Sequence, residues 1–166
     1  MLDIIKYPDK ILRKKVKRVS NISSDEIQNL IAEMKETMIA SDGLGLAANQ
    51  VNKDLKILVV NTKDGAKAFI NPFIYWKSFK KCVAEEGCLS FPNIFGTVRR
   101  PERTRLFYSD EQGKLRHLAS EGLIARVLQH EIDHLNGVLF IDKIIEYTTG
   151  EAKAKELIKG AADDKK

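Results

Sequence analysis

Residues 120–137 form a helical stretch with almost no side that can face water. At 3.6 residues per turn, Leu123, Val127, His130, Glu131 and His134 fall on one side, and Ile124, Leu128, Ile132 and Leu135 on the other. Only Arg126, Gln129 and Asp133 leave a polar strip. A helix that is apolar on nearly all sides has to be buried. Ser120 is the expected N-cap, and Asn136-Gly137 the stop signal. Most of the remaining pattern is β. Residues 57–60, 68–70, 74–83, 97–98 and 104–108 read as strands, with Asp64-Gly65 and Gln112-Gly113 as turns. The expected class is therefore α+β, with antiparallel β-structure wrapped around a central helix. An N-terminal helix, capped in Ser23-Ser24-Asp25 and running to about Ile39, carries the stripe Ile27, Leu30, Ile31, Met34 and Met38. A C-terminal helix is expected over about 151–158, with a frayed tail over about 160–166.

The central helix contains His130-Glu131-Ile132-Asp133-His134. Residues four apart share a helix face, so both imidazoles can grip one metal ion, with Glu131 beside them to take a proton from water. Two histidines are an incomplete set, because catalytic zinc normally has three protein ligands and one open position. The third ligand decides the enzyme class. The other histidine is His117, near a turn, which reads as plain surface. A metzincin pattern is met at Gly137 but fails at Phe140, which cannot bind metal. A gluzincin-type glutamate would be Glu146, Glu151 or Glu156, all in a Lys-rich tail that reads as a solvated helix. Cys88, in Glu86-Gly87-Cys88-Leu89-Ser90, is the better candidate. It is flanked by glycine and followed by a compact Leu-Ser-Phe-Pro turn, and a thiolate is a strong ligand for zinc or ferrous iron.

Three segments in this order resemble the peptide deformylases. Gly43-Leu44-Gly45-Leu46-Ala47-Ala48-Asn49-Gln50 fits G-x-G-L-A-A-x-Q, residues 86–90 fit E-G-C-L-S, and Gln129 to Leu135 fits Q-H-E-x-D-H-L. The opening, Tyr7-Pro8-Asp9 through Leu12-Arg13, is similar as well, so the resemblance covers roughly residues 1–145. It implies removal of the N-formyl group from the formylmethionine of newly made peptides, by a protein whose metal is held by Cys88, His130 and His134. Ferrous iron is the implied working ion, with Zn2+, Ni2+ or Co2+ able to fill the same ligands. Glu131 would act as the proton carrier, and the Gln50 amide and Leu89 N–H as donors to the developing oxyanion. Gly45 would leave its backbone open to pair with the peptide, and Leu44, Leu123 and Val127 would line a slot for the methionine side chain. Asn49, Asn52, Phe95 and Arg126 depart from residues common in relatives. None is in the metal triad, so they bear on peptide preference and subclass.

A chain of 166 residues suits one domain, here taken as 1–166, and no stretch approaches a membrane span. The opening residues lack a signal-peptide core, and Cys82 and Cys88 are expected to be reduced, which together indicate the cytoplasm. Cys82 reads as a buried strand residue, and Phe91, Trp76 and Phe79 as core or edge packing. Glu86 is expected to pair with Arg100, and Asp133 to hold a salt bridge or a supporting hydrogen bond. The charge of +5 leaves room for proximity to the ribosome, but no basic run is interleaved with aromatics, so no specific nucleic acid is expected. Two other functions share these ligands. A metallopeptidase would cleave unformylated peptides; Cys88 and Phe140 argue against it. A structural metal module that binds RNA would close the fourth position and have no use for Glu131.

Overall fold

A computed structural model describes residues 1–163. Helix α1 spans Asp25–Ala40, and its N-cap, Ser24, accepts from the Ile27 N–H. Strands β1 (Gly45–Ala47), β2 (Ile57–Thr62), β3 (Gly65–Lys77), β6 (Arg103–Ser109) and β7 (Leu115–Glu121) form one antiparallel sheet in the order β1-β2-β3-β6-β7. Strands β4 (Lys81–Cys88), β5 (Phe91–Pro101) and β8 (Ile144–Thr149) form a second, in the order β4-β5-β8. Helix α2 (Gly122–Leu135) carries the histidines, and α3 (Glu151–Asp163) follows β8.

Alternation along β2 explains how the layers stack. Ile57 and Val59 point to α1 and pack with Leu30, Ile31, Met34 and Met38. Leu58 and Val60 point the other way and pack with Phe69, Leu106, Val127, Leu128 and Leu135, which brings α2 onto the opposite face. The small sheet has its own apolar cluster around Phe91, Ile94, Val98 and Phe140, to which α3 adds Ala154. The central helix is therefore enclosed, as its faces require, in an α+β fold.

Several expectations need correction. The run 74–83 is two strands in different sheets. Ser78 breaks it: its hydroxyl donates to the Lys80 carbonyl at 2.8 Å and accepts from the Arg103 N–H at 3.1 Å. A side chain that supplies backbone partners in this way competes with the ladder. Ser120 is not the N-cap of α2. It lies in β7 opposite Thr104, their hydroxyls 2.8 Å apart, and the helix begins at Gly122. Helix α3 extends to Asp163, so residues 160–163 are helical, and the rest of the expected frayed tail lies outside the described residues. Cys82 is exposed, and Phe79 is fully exposed rather than packed.

Candidate metal and peptide site

The three sequence motifs meet around one cavity of about 480 Å³. The end of β4 delivers Glu86, Gly87 and Cys88. Helix α2 delivers Leu123, Arg126, Val127, His130 and Glu131, and the segment around β1 delivers Leu44, Gly45 and Gln50. Ligand atoms of Cys88, His130 and His134 all lie within 4.8 Å of one another. Cys88 Sγ is 3.2 Å from His134 Nε2, and the two imidazole rings are 5.0 Å apart at their centroids. One sulfur and two ring nitrogens fit zinc or ferrous iron. Three such candidate ligands beside a cavity would leave room for a reacting group.

The histidines are supported unequally. His130 Nδ1 stands 2.9 Å from Glu86 Oε2, which leaves its other ring nitrogen to face the cluster. Glu86 is in turn gripped by Arg100, through Nε at 2.6 Å and Nη2 at 2.9 Å, and by Arg126 Nη1 at 2.6 Å. Arg100 also donates to Asp133 at 2.6 Å, and Lys143 reaches the same carboxylate at 2.6 Å. The expected Glu86–Arg100 pair and Asp133 salt bridge are thus both present. His134 Nδ1 is buried without a hydrogen-bond partner among the described residues.

This packing shifts the pKa values of the clustered groups. Burial disfavours charge on His130, but its proximity to Cys88 and Glu86 outweighs that and holds its pKa up at about 10. Burial likewise opposes a charged Glu86, yet His130 and Arg100 bring it well below the usual carboxylate range. His134 is pushed well below the usual imidazole range by burial and by the positive charge of His130. Burial raises Glu131 to about 7, against the pull of His130 and Arg100. A divalent cation bound here would favour the deprotonated form of every one of these groups.

Glu131 Oε2 is buried and has no partner among the described residues, as a group reserved for water or substrate would be. Gly45 lies against it: a Cβ at this position would stand 2.5 Å from Glu131 Oε1. The glycine is needed for this close approach. Strand β1 is the end strand of its sheet, so one of its edges is unpaired. Gln50 is buried; its Oε1 accepts from the Ala47 N–H at 2.8 Å, which turns Nε2 toward Ser90 Oγ at 3.2 Å and Cys88 Sγ at 3.4 Å. Leu89 lines the same cavity.

Of the proposed slot residues, Val127 is buried, whereas Leu44 and Leu123 are 50% and 59% exposed, so they are cavity walls rather than core. Phe91 is buried yet borders the cavity, and Phe95 forms part of its rim by packing over Gly87, where a Cβ would meet its ring at 2.5 Å. Sequence reasoning missed the part played by Arg126. Its guanidinium is inside, held by Glu86, the Val98 carbonyl at 3.0 Å and the Cys82 carbonyl at 2.8 Å. Its position one helical turn before His130 was the available signal.

Comparison with known proteins is consistent across sequence and structure. The model of the polypeptide deformylase family matches residues 1–149. A peptide deformylase from Thermoanaerobacter pseudethanolicus is 45% identical over 148 residues, which cover 89% of this chain and 92% of that protein. A peptide deformylase from Synechococcus elongatus, solved in complex with actinonin, superposes with a TM-score of 0.85 at 38% identity, over 97% of this chain and 86% of that one. A class I type b peptide deformylase from Acinetobacter baumannii, solved with Met-Ala-Ser bound, gives 0.83 at 34% identity, over 86% and 98% of the two chains.

Proposed function

The chain belongs to the polypeptide deformylase family, and on that premise we propose how its residues divide the work. The protein is a metal-dependent hydrolase that removes the N-formyl group from the formylmethionine of newly made polypeptides and releases formate. The metallopeptidase alternative falls away with family membership.

Cys88, His130 and His134 are the proposed ligands, and residues 1–166 the proposed single catalytic domain. Their mutual approach to within 4.8 Å is the observation that carries this reading. We assign Fe2+ as the working ion because the resemblance to the deformylases implies it; a thiolate with two imidazoles accepts zinc, nickel or cobalt as well. When bound, the metal supplies a water that is nucleophilic at neutral pH.

The protein's own groups do the rest. Glu131, beside the ligands and without a competing partner on Oε2, accepts the proton of the attacking water and hands it to the departing amine. The formyl oxygen gains negative charge as the bond forms. The Gln50 Nε2–H and the Leu89 N–H are the donors proposed to meet it. The Ala47 bond to Gln50 Oε1 supports this role, since it keeps the amide nitrogen turned into the site. The free edge of β1 at Gly45 accepts the peptide as an added strand, with the methionine side chain lying among Leu44, Leu123 and Val127. The deformylase crystallised with Met-Ala-Ser matches 86% of this chain, which supports a peptide in that slot.

The free state of both cysteines supports a reducing compartment, the cytoplasm; no helix among the described residues is long and apolar enough to cross a membrane. Proximity to the ribosome follows from a nascent substrate and a charge of +5.

The test follows formate and free amine from matched formyl-, acetyl- and unblocked Met-Ala-Ser peptides. A formyl carbon carries only hydrogen, so it can be approached between Leu89 and Gln50, whereas an acetyl methyl crowds that wall. The formyl peptide should react far faster than the acetyl peptide. Equal rates on both would refute the reading, and cleavage of the unblocked peptide would return the protein to the metallopeptidases.

A further inference from the structure

We infer that the N-terminal arm is a working part of this site, and that Lys6 is a positioning residue for the two oxyanion donors. The inference rests on the functional reading above. Gln50 and Leu89 lie on separate segments of the chain, and a donor pair works only if both point at the same atom. The extended arm joins the two segments. The Ile5 N–H donates to the Gln50 carbonyl at 2.7 Å, and the Tyr7 N–H to the Ser90 carbonyl at 3.1 Å. Between them, Lys6 Nζ donates to the Leu89 carbonyl at 2.6 Å.

The arm is well seated for such a task. Tyr7 stacks on Phe91 with ring centroids 4.9 Å apart, and the Leu2 N–H donates to Thr37 Oγ1 at 2.8 Å. Leu89 is held at its side chain too, because it packs where Gly43 leaves space: a Cβ on Gly43 would stand 3.0 Å from Leu89 Cδ1. Lys6 therefore holds the 89–90 peptide plane on a residue whose side chain is already packed, and this limits how far the neighbouring plane, which carries the Leu89 N–H, can swing. The ammonium also lies on the cavity wall, where it adds positive potential near the developing oxyanion. Without the lysine, the Leu89 carbonyl would bond to mobile water and the donor pair would loosen. Small misplacements of this kind are expensive in rate, about 10²-fold for roughly 1 Å.

The test compares the parent, Lys6→Met, Lys6→Arg, Gln50→Ala and the Lys6→Met/Gln50→Ala double variant on formyl-Met-Ala-Ser, with metal content and thermal midpoint measured for each. Lys6→Met should lower kcat about tenfold, with KM within about twofold and metal and midpoint unchanged. Lys6→Arg keeps a charged donor and should recover kcat to within about threefold of the parent. In the double variant the methionine should cost less than about threefold beyond Gln50→Ala, because residues that act through one shared group are not additive. A Lys6→Met kcat within twofold of the parent overturns the inference. So does a change confined to KM, a full tenfold further loss in the double variant, or a loss in both Lys6 variants that tracks a lowered midpoint. A parent that releases no formate removes both this inference and the functional reading; an active parent with an insensitive Lys6→Met removes only this one.

Discussion

Glu131 owes its chemistry to its surroundings. It is buried, it neighbours the proposed ligand His130 on the same helix, and Oε2 meets no protein donor among the described residues. Glu131→Gln has nearly the same shape and leaves the three ligands intact, so it should keep its metal. It should lose roughly 10²–10⁴-fold in turnover, the usual worth of general acid–base catalysis. Turnover within a few-fold of the parent, with metal measured alongside, would show that another group carries the proton. Gln50→Ala should lower kcat by about 10²–10³ and move KM less, as removal of one oxyanion donor does; a change in KM alone would make Gln50 a peptide anchor. The clustering of Cys88, His130 and His134 was legible from residue type and spacing, imidazoles four apart and a thiol in a glycine-bounded turn, whereas Gln50 and Leu89 were reached only through the family resemblance. Arg126 and Lys6 were not legible. A buried arginine and a surface one have the same letter, and only tertiary contact gave Arg126 its place against Glu86 and Lys6 its place at the Leu89 carbonyl.

At the scale of elements, the site depends on how closely β1 crosses α2. Gly45 makes that approach possible, and a methyl group there would overlap Glu131 Oε1. Gly45→Ala should therefore leave the circular dichroism spectrum unchanged while kcat falls at least about tenfold, because the base is displaced. Full activity in that variant would mean that Glu131 has slack to move. Periodicity located α1 to within a residue of its end, because its stripe and its Ser24 cap are local signals. It failed at residues 74–83, where the chain leaves one sheet for the other through Ser78-Phe79-Lys80, a break without glycine or proline. It also placed the start of α2 too early: Ser120 has the chemistry of a cap, but its hydroxyl is taken by Thr104 across the sheet. Local propensity cannot register a partner supplied by a distant strand.

At the scale of the molecule, the enclosure of α2 was foreseeable from its apolar faces, and so were the Glu86–Arg100 pair and the Asp133 salt bridge of the ionic layer against it, whereas the burial of Arg126 and Gln129 in that layer was not. Arg126, Gln129 and Asp133 read as a polar strip, yet Arg126 and Gln129 are buried and join Glu86, Arg100 and Pro101 beneath the site. A metal held by Cys88, His130 and His134 would tie α2 to β4 across that layer, so its binding free energy would also be stability of the fold. Saturation at about 1,000 times Kd contributes about 4 kcal/mol. Stripping the ion with a chelator should therefore lower the thermal midpoint on the order of ten degrees for a chain of this size. An unchanged midpoint in scanning calorimetry would mean that the site does not brace the two elements. The central claim is that Cys88, His130 and His134 hold the one ion on which turnover depends. The measurement that tests it most directly is metal per chain, with formate release per metal, for anaerobically purified parent and Cys88→Ser. The account predicts about one Fe2+ per chain in the active parent, and loss of most metal and activity in the variant, since a neutral hydroxyl replaces a thiolate. Full metal content and normal turnover in Cys88→Ser would contradict it.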